Sequence, residues 1–521
     1  MRHRSFVVLL MLGASMSARA DLVDFKFGGQ IASDIRYRLG GATIPAADAE
    51  APFPSQQRLL GYGFSRNENL IKAQLSMTIA DRVKAVADVD FYWYGYSDVR
   101  DIDSLTLRER VDPYRLDADA AYIDIYHILP KLDLRIGRQI VVWGAADKFS
   151  PTNNLNSLDF SDPLLFGKSI ANQMIRFDWN PWRDLIITAV WVPIFRPAQL
   201  PRTAPLAVTQ IERFAPVQDV SFQNQLRRFE ILLPPPGIRA TALQPDPSIE
   251  NSQIGVRIAG RLLGQDLSLS YYRGRFGLPV PAAAISQADG TVDAYVMWPR
   301  MQVLGLDVAG SIKKLNGLGY WVEAGLFFPQ EVTYAVYNWI DNPRAPAHGP
   351  ITYKYVDGQF QSTPGVLPEN QRGVVIPSTP FLKLTAGFDY SFNKYIYGNF
   401  QYVHGFIDEF GAGTTTFSRS TNLSDPARRE SRIGEYLVLG TDVKVFNDAL
   451  LLRFFGAFKI PDIGDEDPKF TAVLFPQAVW SVWDATELTL GAFVFLGPRD
   501  SKFGDPVAGA SEIFAKAKFT Y

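Results

Sequence analysis

Residues 71–94 read IKAQLSMTIADRVKAVADVDFYWY. Ile71, Ala73, Leu75, Met77 and Ile79 take alternate positions, with Lys72, Gln74, Ser76 and Thr78 between them. After Asp81-Arg82 the pattern restarts, with Ala85, Ala87, Val89, Phe91 and Trp93 against Lys84, Asp88, Asp90, Tyr92 and Tyr94. Successive side chains of a strand point to opposite faces, so each run has one apolar and one polar face. No helical face separates the two sets in this way. The stretch predicts a β-hairpin that turns at Asp81-Arg82.

The same period runs outward in both directions. Upstream, Phe25, Phe27, Ile31, Ile35, Tyr37 and Leu39 oppose Lys26, Gln30, Asp34, Arg36 and Arg38. Downstream, Ile254, Val256, Ile258 and Leu262 oppose Gln253, Arg257 and Arg261. Leu382, Leu384, Ala386, Phe388, Tyr390 and Phe392 oppose Lys383, Thr385, Asp389 and Ser391, and Leu450, Leu452, Phe454 and Phe458 oppose Arg453 and Lys459. Tight turns are expected at Asp81-Arg82, Asn180-Pro181, Asn393-Lys394 and Asn447-Asp448. Between them lie long polar segments near 40–66, 97–114, 144–170, 194–248, 276–300, 329–380 and 405–434. Short turns alternating with long loops are the pattern of an all-β fold, a transmembrane antiparallel β-barrel with periplasmic turns and extracellular loops. Segments of about ten residues give about 18 strands, with 16 as the lower bound. A soluble β-sandwich or propeller also alternates, but its long loops need not gather at one end.

The ends of the chain agree with that reading. Arg2, His3 and Arg4, the apolar run Phe6 to Leu12, and Ala18-Arg19-Ala20 form a signal-peptide pattern over 1–20, leaving 21–521 as the barrel. At the other end Ile513, Ala515, Ala517, Phe519 and Tyr521 alternate with Glu512, Phe514, Lys516 and Lys518. An aromatic closing an alternating strand is the signal expected for the barrel-assembly machinery, with Phe519 and Tyr521 as the contact. No apolar run after residue 20 is long enough for a membrane helix, so a spanning chain must use closed strands. A formal net charge of -2 excludes a generally basic nucleic-acid binder, and the absence of Cys suits passage through an oxidising periplasm. The surroundings implied are outer-membrane lipid and lipopolysaccharide; a homo-oligomer is compatible with the plan.

Catalytic chemistry has little to build on. His127, His348 and His404 are the histidines beyond the signal segment. No Ser lies two residues from His404 on its face, so a resemblance to outer-membrane phospholipase fails. No His/Cys cluster for zinc and no phosphate loop occurs, and no cofactor is implied. The acids Asp462, Asp465, Glu466 and Asp467 read as a solvated run rather than a calcium loop, because their spacing matches no ligand loop.

Two segments depart from the repeat. Gly137-Arg138-Gln139 ends an alternating run and is followed by Trp143-Gly144, Asp147, Pro151-Thr152-Asn153 and Asp159. This resembles a signature of poorly characterised proteobacterial outer-membrane β-barrel proteins, porin-like in size and plan. In those, a Gly-Arg-Gln strand leads into Trp-Gly and an Asp/Pro/Asn-rich segment. The resemblance covers about 30 residues and implies the fold more than a substrate. Arg138 falls on the outward parity of Leu132, Leu134 and Ile136, where facing lipid would be costly. Either a bulge at Gly137 re-aims it or it sits at the rim, and a strand-to-loop anchor is favoured over substrate binding. The second segment, 194–248, is too long for an idle loop. Asp219 to Leu232 has a helical stripe of Val220, Gln223, Leu226 and Phe229, stopped by Pro234-Pro235-Pro236. It is read as a constriction or plug, or as a loop packed on its neighbours.

The inward parity then defines a candidate pore wall. Arg36, Arg38, Lys72, Arg176, Arg257, Lys383 and Arg453 are its bases, and Asp88, Asp90, Asp307 and Asp389 its acids. Tyr92, Tyr94, Tyr122, Tyr126 and Tyr397 add stacking surface. A modest basic excess favours small organic anions in a channel or facilitated transporter for small solutes. Two other classes stay open: a non-conducting surface barrel of an envelope complex, and a transporter of hydrophobic substrates.

Overall fold

The computed structural model describes residues 23–40, 63–97, 99, 102–201, 204, 238–286, 292–337, 352–356, 359–363, 372–376, 378–410, 433–461, 469–498, 501–505 and 508–521. The signal segment 1–20, the helix expected over 219–232, His348 and the acids at 462–467 lie outside them.

The strands run β1 Val23–Arg38, β2 Gly63–Ile79, β3 Val83–Tyr94, β4 Tyr114–Leu129, β5 Leu132–Gln139, β6 Asn172–Trp182 and β7 Leu185–Val192. Then come β8 Ile238–Leu243, β9 Gln253–Leu262, β10 Gln265–Arg275, β11 Val280–Ser286, β12 Val292–Met297, β13 Arg300–Ile312 and β14 Leu318–Pro329. They continue with β15 Val332–Tyr337, β16 Thr352–Val356, β17 Gln359–Thr363, β18 Arg372–Ile376, β19 Phe381–Ser391 and β20 Ile396–His404. The last are β21 Glu435–Val445, β22 Leu450–Ile460, β23 Thr471–Trp483, β24 Thr486–Leu496 and β25 Glu512–Thr520.

Eighteen of these form one antiparallel sheet, and it closes because β1 pairs with both β2 and β25. Closure leaves no sheet edge with unpaired backbone groups, which is the condition for strands in hydrocarbon. The terminal residue completes the seam. Tyr521 exchanges backbone hydrogen bonds with Gly29, donates its hydroxyl to the Lys72 carbonyl at 3.0 Å and stacks near Phe27 at 5.5 Å. The outer parity is mainly apolar between the strand ends: Phe25 is 62% exposed and Leu490 64%, values expected of a lipid-facing belt.

The hairpin at 71–94 folds in the expected register, Ile71 opposite Phe91 and Leu75 opposite Ala87. One expected turn is displaced. β6 runs through Asn180-Pro181 and reverses at Arg183–Asp184, with a register shift between Trp179 and Trp182. Pro181 lacks an N–H, so it sits at this irregularity, and its carbonyl accepts from Lys131 Nζ at 2.7 Å.

The short turns, Val23 and Tyr521 lie at one end of the barrel, and the long connections leave and rejoin the strands at the other. Three of these connections contain strands that their polar composition concealed. β8, from the segment 194–248, joins β11, β12, β15 and β18 in a five-stranded sheet ordered β18-β15-β11-β12-β8. The pairs β11–β15 and β12–β8 are parallel. Val280, Ala282, Ala283 and Val332 in it are fully buried. β16 and β17 pair separately.

Candidate functional site in the lumen

The connection from β5 to β6, residues 140–171, turns inward and reaches the opposite wall. Its anchor is Glu323 on β14, fully buried, which accepts hydrogen bonds from Ala145 N at 3.0 Å, Ala146 N at 2.9 Å and Thr152 N at 2.9 Å. Thr152 Oγ1 donates to it at 2.6 Å, and so does the Ser150 hydroxyl. A buried carboxylate is tolerated only when its lone pairs are satisfied, and five donors achieve that here. Two neighbouring strands continue the fastening. Thr385 Oγ1 on β19 donates to the Phe149 carbonyl at 2.6 Å, and Gln401 Nε2 on β20 to the Asp147 carbonyl at 3.3 Å.

Toward the other side, Asp162 is held by Arg36 at 2.5 and 2.8 Å and by Arg66 at 2.7 Å. Burial alone would raise its carboxyl. The Arg36 hydrogen bonds and the Arg66 charge overcome that and hold it at about 2. Lys168 reaches Asp119 on β4 at 3.4 Å. A second inward turn, 405–410, packs against the first through Phe149 and Phe406, 5.2 Å apart. Its Glu409 is buried, yet the Lys502 charge and the Tyr436 hydroxyl keep its carboxyl below the ordinary range.

The signature residues are thereby explained as parts of this crossing. Gly144 has φ +94°, and any Cβ there would strike the Glu323 carboxylate and Ser150, so only glycine fits. Trp143 is buried over Gly255, and its backbone N–H donates to Asn153 Oδ1 at 3.4 Å. Pro151 accepts from Asn154 Nδ2 at 2.8 Å. Gln139 is fully buried and donates to the Met174 carbonyl at 3.1 Å. Asn156, not singled out in sequence, bridges Val141 N and the Ile170 carbonyl at 2.8 Å each. No bulge forms at Gly137, where the β4–β5 register is regular; the bulge is on β4, between its partners Asp88 and Val89 of β3. Arg138 sits at the loop end of β5, donating to the Ala118 carbonyl and lying 3.3 Å from Asp117. The rim alternative therefore describes it.

This crossing divides the interior. On the side of β6, β7, β10, β13 and β14 the space is packed by Val141, Trp143, Leu155, Met174, Val190, Tyr272, Met301, Val303 and Phe327. On the side of β1–β4 and β20–β25 a cavity of about 890 Å³ stays open. Arg36, Lys72, Asp90, Tyr92 and Arg453 line it, as do Tyr397, Gln477, Thr489 and Lys516. Lys72 binds Asp88 at 2.9 Å and both Asp90 and Asp119 at 3.3 Å; Arg453 binds Asp442 at 2.7 Å. Arg38 faces Glu512 at 3.6 Å, Arg176 pairs with Asp178 at 2.8 Å, and Asp389 accepts from Tyr397 at 3.1 Å. Arg257 pairs with Asp307 at 3.3 Å. Lys383 is not on an open wall: it lies buried beneath the second turn and donates to the Phe406 carbonyl at 2.7 Å.

Among the described residues the cavity lining carries no basic excess. Seven bases (Arg36, Lys72, Lys148, Lys168, Arg453, Lys516 and Lys518) face eight acids (Asp34, Glu68, Asp90, Asp119, Asp147, Asp162, Asp442 and Glu487). All the acids except Asp147 are in ion pairs. Among the described residues Lys148 and Lys516 have no acidic partner within ion-pair distance; Lys148 instead lies 5.6 Å from the centre of the Phe455 ring. His404 pairs with Glu435 at 2.7 Å on the outward parity, far in character from a nucleophile–base arrangement.

No protein-family model and no curated protein matches the sequence. Among solved structures the chain is similar to Acinetobacter baumannii OccAB3, at 10% identity and a TM-score of 0.47, covering 96% of this chain and 99% of that one. OccAB2 of the same organism gives 7% identity and 0.48 over 96% and 98%. Pseudomonas aeruginosa OccK9 gives 9% and 0.45 over 96% and 98%.

Proposed function

We propose that this barrel resides in the outer membrane of a Gram-negative bacterium and passes small, water-soluble solutes, with a weak preference for organic anions. The open cavity of about 890 Å³, walled by charged side chains and bounded by a fastened loop, carries this reading. A scaffold has no need of a hydrated, charge-lined interior, and burying so many ionised groups without water would be costly. Fastening the loop at both walls fixes the cavity's width, which favours selection among solutes over a wide unselective pore.

The anion preference rests on Lys148 and Lys516. The lining as a whole holds one acid more than it has bases, so the preference rests on contact and not on net charge: these two ammonium groups have no acidic partner within ion-pair distance among the described residues and are free to meet a passing carboxylate. Planar bilayers test both levels. The refolded protein is expected to give stepwise currents, and its reversal potential in a salt gradient to lie on the anion side. Lys148→Ala with Lys516→Ala is expected to move that potential toward cations with little loss of conductance. Absence of steps would remove the channel; an unchanged potential would remove the anion preference alone.

A further inference from the structure

Beside the aqueous cavity lies a second, apolar one of about 130 Å³. Its barrel wall is Phe455 on β22, Phe475 on β23, and Phe493 and Phe495 on β24. Phe149 and Phe406 come from the two inward turns. These are inward positions, which face water in the rest of this half, so lipid contact does not account for their apolar character. Packing of the turns accounts for some of it. It does not account for the space left over, because folded interiors normally leave few voids larger than a water molecule.

We infer that this cavity is a binding site for a small uncharged apolar molecule, a single aromatic ring or its equivalent. Three observations carry the assignment. The volume is close to that of the apolar cavity of about 150 Å³ that stays dry and binds benzene. The walls are aromatic edges and faces; Phe475 and Phe493 stand 5.6 Å apart at 61° and Phe493 and Phe495 4.9 Å apart at 67°, the tilted geometry into which a further ring packs. The acids that touch the cavity are already satisfied: Lys502 binds Asp408 at 2.7 Å, and Asp162 is held by Arg36 and Arg66. Of the charged groups lining it, only Lys148 lacks an acidic partner among the described residues, and Lys148 lies at the boundary shared with the aqueous cavity, so a charged ligand would have to shed its water against an interior that offers it no free partner. Phe455, Phe475 and Lys148 line both cavities, so the apolar one opens onto the aqueous one. A ring reaches it from the solute pathway, and in that respect the inference rests on the channel reading.

Ala457 also lines the cavity and belongs to no charged group of the wall. Crystals of the refolded protein soaked with bromobenzene are expected to show an anomalous bromine peak among Phe149, Phe406 and Phe493. Ala457→Leu, which fills the space, should lower that occupancy at least tenfold at the same concentration. No peak in the wild type, or an equal peak in Ala457→Leu, overturns the site. A matched soak with 4-bromobenzoate decides the class, since higher occupancy than bromobenzene overturns the uncharged assignment. Bilayer currents of wild type and Ala457→Leu keep the two readings apart: bromine in a barrel without conductance fails the channel and leaves the site standing.

Discussion

The inner faces of β2 and β13 begin from the same alternation and end in opposite environments. On β2, Lys72 lines the open cavity and Gln74 is exposed one inward place away, and they meet acids of β3 and β4. On β13, Met301 and Val303 take the equivalent inward places and are 3% and 2% exposed beneath the β5–β6 crossing. The outward faces of both strands are alike, apolar and exposed. Period-two alternation is therefore a statement about lipid, which is the same all round the barrel. The inner face answers to whatever fills the lumen, and that is decided by a loop from elsewhere in the chain.

The largest expected effect falls on the packed half. Glu323→Leu leaves the Ala145, Ala146 and Thr152 N–H groups and the Thr152 hydroxyl without an acceptor, while Ser150 keeps the Trp143 carbonyl, at a cost of about 3–5 kcal/mol. Thermal unfolding should report the loss, and single-channel conductance should rise as residues 144–152 detach. Wild-type conductance in that variant would mean the fastening does not bound the pathway.

Next come substitutions that should not distinguish the halves. Leu75→Arg on β2 and Leu384→Arg on β19 face lipid on opposite sides of the interior boundary. Each should cost about 2–4 kcal/mol at mid-depth and reduce assembly alike, read from heat-modifiable mobility. Unequal losses would show that the two halves differ outside as well as inside.

A smaller, pH-dependent effect belongs to the junction. The folded Asp162 carboxyl sits at about 2, below its unfolded value, so its contribution is complete above pH ~4 and is lost as pH falls toward 2. The stability difference between wild type and Asp162→Asn should be roughly 2 kcal/mol near neutrality and close over that acid window. A difference that closes near pH 6 would place the titration on another group.

These contrasts also mark what could be read from sequence. The belt, the closing strand and the strand count were legible because lipid imposes one rule on every strand. The signature was visible as a break in the repeat, but its partner Glu323 was not, since the two lie far apart in the chain. A signal existed in hindsight: Glu323 stands alone on an inward face with Trp321, Gly325 and Phe327, and an acid in that company needs donors from elsewhere. The loop strands were hidden because β8, β11, β12, β15 and β18 are short and two of their pairings are parallel, joining segments from different loops. Lys383 looked like a wall charge because parity reports direction and says nothing of what lies above it.

The chain contains no cysteine, so single thiols can be placed without background. Gln477→Cys puts one on the open cavity, and Val303→Cys puts one on the same inward parity in the packed half. Currents are recorded while a charged, water-soluble thiol reagent is applied. The account predicts that Gln477→Cys is modified quickly with a stepwise drop in current, while Val303→Cys is untouched. Equal modification rates at the two positions would contradict a lumen divided by the β5–β6 crossing.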